Sequence, residues 1–406
     1  MRILYIVQHF TGPSSTSGSR PYENARRLVR MGHEVTMLCG TLELNSERDI
    51  EDARQAGITL DQSPILYSQR YSYLKRMIVF RQYMQWAIGE GKRLPKPDIV
   101  FASSTPLTVG EIGRQVARHH RVPFVFEVRD LWPEVVVGVG ALRNPVLRFM
   151  SYRLAGKIYA AADHVVALSR GMKDGVKAWG YPDDRISVIP NCSDTALFGS
   201  RAERDETRKK MGWEGKFVCL YPGVFGAMNN LDYLLDCAKA LEQMGAGDCH
   251  IALIGNGAVR EHLANRIKEE NISLAALYDP IQKRDMPKLM AAADVGTVSL
   301  LPLDCLGSSS PNKFFDFLAA GMPVILNYRG WQADLLNESG AGLFAQPGKP
   351  SDMASLLVGL RDDPERVKAM GGIARDLAET QFDRDLLVAK LERLLVDVAS
   401  RGSAKR

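Results

Sequence analysis

Ser308-Ser-Ser-Pro-Asn-Lys-Phe-Phe-Asp-Phe-Leu-Ala-Ala-Gly-Met-Pro-Val-Ile325 reads as a serine-rich loop, a short helix and the start of a strand. Pro311 suits the opening of a helix, where its missing N–H is no loss, and Gly321 with Pro323 stops it. Lys313 falls in the first turn, beside backbone N–H groups that no carbonyl of the helix can satisfy. A lysine, hydroxyls and free N–H groups at the positive end of a helix make a site for an anion, and a diphosphate fits it. Asp316 lies about one turn further in, where a carboxylate can accept hydrogen bonds from vicinal sugar hydroxyls. On composition alone, a solvated lysine and a loop-filling run of serines explain the segment equally well.

Outward from this segment the same strand-turn-helix unit recurs. Short β-branched runs occupy Ile3 to Val7, Glu34 to Leu38, Asp98 to Phe101, Phe124 to Val128, His164 to Leu168 and Ile186 to Ile189. Others follow at Phe217 to Tyr221, His250 to Ile254, Val295 to Leu300 and Val324 to Leu326. Runs apolar on both faces suit a buried parallel sheet, and strand-helix alternation suits right-handed crossovers. A chain of 406 residues is too long for one core, so two domains are expected. The turn-rich Pro190-Asn-Cys-Ser-Asp194 marks the boundary. The expected division is an N-terminal domain of residues 1–195, a C-terminal domain of 196–380, and a C-terminal helix and tail of 381–406. The amphipathic helix Arg384 to Ser400 is expected to return to the first domain. The predicted class is α/β, two facing Rossmann-like domains, with ligands at the carboxyl ends of the strands.

Composition excludes several other classes. A hydrophobic fraction of 46% and a charged fraction of 24% belong to a folded globular chain. A formal charge of +5 is too small to point to nucleic acid. Met1 to Val7 reads as a strand rather than a signal peptide, and no stretch reaches the roughly 20 apolar residues of a membrane span. The six cysteines form no CxxC pair and no metal-like spacing with histidine, which predicts a reduced cytoplasmic protein without a structural metal.

Two further stretches carry charge. Glu127-Val-Arg129-Asp130 follows an apolar strand directly and precedes Trp132-Pro133. It reads either as a catalytic group at the ligand end of a sheet or as a structural arginine-carboxylate pair. Arg70 to Arg93 is basic and aromatic, with Tyr73, Met77, Phe80, Met84 and Ile88 at helical spacing. Such a helix fits peripheral contact with an anionic membrane, and equally a core stripe with solvated cations.

The segment Ser308 to Ile325 resembles the donor-binding signature of the family-four retaining glycosyltransferases of the GT-B fold. Other motifs follow in the family's order. Gly18-Ser19-Arg20 with Gly32-His-Glu-Val35 is similar to its N-terminal glycine-rich loop, and Ile189-Pro-Asn-Cys-Ser-Asp194 to its interdomain motif. Gly255-Asn-Gly257 and Ala291-Ala-Ala-Asp294 match C-domain landmarks. Phe126-Glu-Val-Arg-Asp-Leu-Trp-Pro133 resembles the subgroup that builds bacterial surface polysaccharides, N-acetylfucosamine transferases included. Two positions depart from the pattern. Ser308 and Asp316 stand where the family carries two glutamates, and Gly223 to Asn230 lacks the usual phosphate-binding cation.

The resemblance implies a sugar moving from a nucleoside diphosphate, UDP in the first instance and with an N-acetylated hexosamine as its sugar, to a hydroxyl of a lipid-linked saccharide. It implies catalytic roles for Asp130, Glu127 and Arg129, and acceptor-side roles for Arg20 and Trp132. Donor contacts are expected from Gly18, Ser19, Gly223, Phe225, Gly226, Gly255, Gly257, Lys283, Ser308, Ser309, Ser310, Asn312, Lys313 and Asp316, with Arg284 as a further cation. No cofactor and no metal are expected, since Lys313 and helix N–H groups take the place of a divalent ion. The one Asp-x-Asp, Asp383-Arg-Asp385, opens a helix. Location is expected to be cytoplasmic, with peripheral contact at the inner membrane face through Arg70 to Arg93. A sugar-nucleotide epimerase of the same shape and a catalytically silent binding protein remain open alternatives.

Overall fold

The computed structural model describes residues 1–12, 20–43, 47–68, 71–199 and 203–404. Two compact units divide the chain: residues 1–190 with 385–406, and residues 191–384. The first contains β1 (Arg2–His9), α1 (Arg20–Arg30), β2 (Glu34–Leu42), α2 (Glu47–Gln55), β3 (Thr59–Tyr67), α3 (Tyr73–Arg93) and β4 (Ile99–Ser103). It continues through α4 (Thr108–His120), β5 (Phe124–Val128), α5 (Glu134–Gly138), α6 (Pro145–Ala161), β6 (His164–Ala167), α7 (Arg170–Lys177) and β7 (Ile186–Val188). Its sheet runs β3-β2-β1-β4-β5-β6-β7, every neighbouring pair parallel. Ile3 to Val7 are buried without a break because helices cover both faces. On one face α4 lies between α3 and α6. A Cβ on Gly91 of α3 would meet Val116 at 2.8 Å, and one on Gly110 of α4 would meet Ile158 at 2.7 Å. Tyr83 of α3 closes this layer by donating to the carbonyls of Val7 and Leu38 at 2.7 and 3.2 Å.

The second unit contains α8 (Arg204–Met211), β8 (Phe217–Val224), α9 (Leu231–Gln243), β9 (Cys249–Asn256), α10 (Arg260–Glu269), β10 (Ala275–Tyr278) and α11 (Met286–Ala292). Then come β11 (Val295–Val298), α12 (Asn312–Ala319), β12 (Val324–Leu326), α13 (Trp331–Ser339), β13 (Gly342–Phe344), α14 (Pro350–Arg361) and α15 (Pro364–Gln381). The order is β10-β9-β8-β11-β12-β13, again parallel throughout. Asp294 locks the outer end of β8, accepting from the Val218 N–H at 2.8 Å and pairing with Arg204 and Arg208. Helix α16 (Arg384–Ala404) then belongs almost wholly to the first unit, held there by Arg27–Asp385 at 2.5 Å and His33–Glu392 at 3.0 Å. Among the described residues no helix is long and apolar enough to cross a membrane.

Three expectations need correction. The boundary placed at residue 195 falls at Pro190, because residues 191–195 bond within the second unit. Phe80, Met84 and Ile88 of the α3 stripe face inward: Phe80 stacks on Tyr67 at 5.5 Å, and Met84 and Ile88 pack on the core. Residues 69–70 of the basic stretch lie outside the described residues. Finally, Glu127 and Arg20 form a buried ion pair rather than an open catalytic and acceptor wall.

Arg20 donates through Nε and Nη2 to one Glu127 oxygen at 3.1 and 2.8 Å, and its other donors reach the carbonyls of Ile189 and Pro190. Ser103 donates to the second Glu127 oxygen. Burial alone would raise the Glu127 pKa, but Arg20, Ser103 and Arg129 together hold it below the usual range. Arg20→Met strands that carboxylate, so stability falls by about 3–5 kcal/mol in urea denaturation. Arg20→Met/Glu127→Leu recovers most of the loss. Equal losses in the single and double variants would show that the charge is not the reason the pair matters.

Candidate functional site

In a doubly wound sheet, ligands sit at the carboxyl ends of the strands where the order reverses. That point lies beside β8 and β11 in the second unit and beside β1 and β4 in the first.

The loop after β8 approaches the start of α12. Gly223 has φ +134°, and a Cβ there would stand 3.0 Å from the Lys313 Nζ. Gly255 has φ +151°, and its Cβ would overlap the Gly223 carbonyl. These glycines therefore let the paired ends of β8 and β9 take a backbone conformation that side chains rarely allow. Lys313 itself lies over the Tyr221 ring, Nζ 3.5 Å from the centroid, and has no carboxylate partner among the described residues. Burial pushes its amine well below the usual lysine range. An anion bound here restores the charge that burial disfavours.

The Ser308–Ser310 loop is held from two sides. Ser309 gives its carbonyl to the Trp331 indole N–H at 2.8 Å, and buried Ser310 gives its carbonyl to the Asn191 amide at 2.5 Å. Asp316 accepts from the Ser193 hydroxyl at 2.6 Å, while its other oxygen makes no hydrogen bond among the described residues. Asn312 opens α12 half-buried, and Gly226 begins the turn that leads to α9. The Gly257 backbone is pressed against Phe225. Phe225 departs from expectation: its side chain is wholly buried beneath Arg260, its N–H donates to the Asn256 carbonyl at 2.8 Å and its carbonyl accepts from the Val259 N–H at 3.1 Å. Lys283 and Arg284 stand on the turn after edge strand β10, two strands from β8. Gly18 and Ser19 lie outside the described residues.

In the first unit, Arg129 and Asp130 follow β5 and are half-buried. The Arg129 backbone N–H donates to the Ser104 hydroxyl at 3.0 Å, and its guanidinium makes no hydrogen bond among the described residues. Burial pushes Asp130 up to about 6 against the pull of Arg129. Trp132 packs on the core beside this pair. Two residues here escaped the sequence reading. His9 ends β1, its ring 4.9 Å from that of Tyr67 and tilted by 53°, and burial with the Arg129 charge lowers its pKa to about 4. Gln8 is buried with neither amide atom hydrogen-bonded. The signal was a polar Gln-His pair ending an apolar strand.

Residues 16–192 match the model of the glycosyl transferase 4-like domain, and residues 216–363 match that of the glycosyl transferases group 1. The chain carries the two domains of a GT-B glycosyltransferase. The D-inositol 3-phosphate glycosyltransferase of Thermomonospora curvata is 23% identical over 310 residues, covering 70% of this chain and 68% of that one. A GDP-mannose-dependent monoacylated phosphatidylinositol monomannoside mannosyltransferase of Corynebacterium glutamicum is 24% identical, but the match spans 51% of this chain and only 55% of that relative. The structure of Anabaena HepE in complex with UDP and glucose superposes with a TM-score of 0.73 at 16% identity, covering 98% and 100% of the two chains.

With Asp130 as a catalytic carboxylate, turnover is expected to fall as pH drops through about 6 and the group protonates. The raised pKa means that the folded protein holds this proton more tightly than the unfolded chain, so ionised Asp130 destabilises above pH 6. Asp130→Asn is expected to lose turnover and to be at least as stable as wild type at alkaline pH. An Asp130→Asn enzyme that keeps both its turnover and its acid limb would remove the residue from the mechanism.

Proposed function

We propose that the glycosyltransferase moves a sugar from UDP to a hydroxyl of a lipid-linked saccharide, with retention and without a metal ion. The observation that carries the donor half is Lys313, an amine at a helix start with a glycine-built approach and no anionic partner among the described residues. UDP is supported by the HepE complex, and a phosphorylated or lipid-borne acceptor by the names of the two sequence relatives. The surface-polysaccharide setting and the N-acetylated hexosamine rest on the resemblance of Phe126 to Pro133 alone.

In this reading the second unit holds the donor. Lys313 and the N–H groups of α12 take the growing charge of the diphosphate, and the free oxygen of Asp316 accepts from ribose hydroxyls. The anomeric C–O bond to phosphate breaks while the acceptor oxygen bonds that carbon from the same face. The acceptor proton passes to the departing phosphate oxygen, so no protein nucleophile is needed. Asp130 and Arg129 orient the acceptor.

Lys313→Met weakens UDP binding by about 1.5–3 kcal/mol in calorimetry. Binding that is equally tight in the variant sinks the donor assignment. Turnover unchanged by a chelator is expected too, and its loss, restored by magnesium, would overturn the metal-free reading.

A further inference from the structure

The exposed apolar side chains of the first unit concentrate at two helix starts. Val146, Phe149 and Met150 stand out from the first two turns of α6, with Phe149 65% exposed. Leu74, Met77 and Ile78 do the same on α3, with Leu74 71% exposed. Both helices are properly begun. Asn144 accepts from the Val146 and Leu147 N–H groups, and Ser72 from that of Lys75. Scattered single apolar residues on a surface need no explanation, but two clusters of three on helices of one layer do.

Charge accompanies each cluster. Arg143, Arg148, Arg153 and Lys157 are exposed on and just before α6, which holds no acidic residue. Lys75 and Arg81 are exposed on α3, whose one acid, Glu90, lies at the opposite end. Both clusters also share an edge. In a parallel sheet each crossover helix runs back against its strands, so its start lies at the carboxyl edge. That edge carries Gln8, His9, Arg129 and Asp130. Since α4 separates α3 from α6, the clusters are roughly 20 Å apart, two helix spacings on one layer.

We propose that the starts of α3 and α6 form a two-point docking face for an anionic lipid bilayer, set beside the acceptor edge of the first unit. Apolar side chains enter the headgroup boundary while the arginines pair with anionic headgroups. The inference rests on the proposed lipid-linked acceptor for its purpose, and on exposure and charge for its place. A second copy of the chain fits less well, since a two-fold contact would set cations against cations.

The test is co-sedimentation of the full chain with phosphatidylglycerol or phosphatidylcholine vesicles, at low and high salt. Wild type partitions to the anionic vesicles at low salt and is released at high salt. Arg143→Gln/Arg148→Gln/Arg153→Gln lowers that partition by about a hundredfold. Phe149→Ser/Met150→Ser lowers it at least tenfold, with unchanged melting temperature and unchanged UDP affinity. Indifference of wild type to lipid charge, or variants that bind like wild type, overturns the proposal. So does sedimentation velocity showing a dimer that Phe149→Ser/Met150→Ser dissociates while vesicle binding stays the same. Transfer to a detergent-solubilised lipid acceptor separates the two readings. Vesicle binding without any such transfer leaves the docking face and removes the acceptor assignment, whereas transfer without vesicle binding does the reverse.

Discussion

Ser193 is bonded through every polar group it has. Its N–H donates to the Phe382 carbonyl at 3.2 Å, its carbonyl accepts from the Arg384 N–H at 3.0 Å, and its hydroxyl binds Asp316. The chain enters the second unit at Asn191 and leaves it at Arg384, so both passages must be fixed in one place. Arg384 reinforces the clasp by pairing with Asp194 at 3.0 Å and donating to the Cys192 carbonyl, and Thr195 donates to Asp383. Asn191 and Ser193 of the same stretch also hold the loop before α12 and α12 itself, through Ser310 and Asp316. Entry, exit and α12 are thus one hydrogen-bonded unit, which accounts physically for the Ile189 to Asp194 motif. It also accounts for Asp383-Arg-Asp385, whose carboxylates go to Thr195 and Arg27.

How legible each strand was depended on its burial. The central strands were found as apolar runs because helices cover both of their faces. Three strands were missed, β3, β10 and β13, and all three are sheet edges. Thr59 to Tyr67 carries Asp61, Gln62, Ser63 and Pro64 among its apolar residues, as suits an edge with one partner. Gly342 to Phe344 is three residues long, too short to show a period. Edge β7 was found because Ile186 and Val188 flank a single serine.

The site was legible where residue type and backbone coincide. Lys313 follows from its position in the first turn of a helix, whatever the surrounding fold. Gly223 and Gly255 follow less directly, since the need for glycine comes from the backbone conformation at the paired ends of β8 and β9. Glu127, Arg129 and Asp130 could not be sorted by sequence, because alternation along β5 decides the matter. Glu127 points into the layer that holds Arg20, while Arg129 and Asp130 lie past the end of the strand. A carboxylate matched by a buried guanidinium is structural, and one pushed up to about 6 with no hydrogen bond among the described residues is available for chemistry.

Among the described residues, two groups without a hydrogen-bond partner stand at the carboxyl ends of the two sheets. A buried polar group without a partner costs about 1–3 kcal/mol, and an unpaired buried amine costs more. Gln8 meets that description, and half-buried Lys313 has no carboxylate partner among the described residues, each beside the strand where its sheet's order reverses. Elsewhere buried charge is matched, as with Arg20 and Glu127 or Arg384 and Asp194. Packing alone would favour apolar residues at both positions, since each would then contribute to the core rather than oppose it. A charged or polar ligand that supplied those partners would return that cost on binding, and a ligand-free role would not.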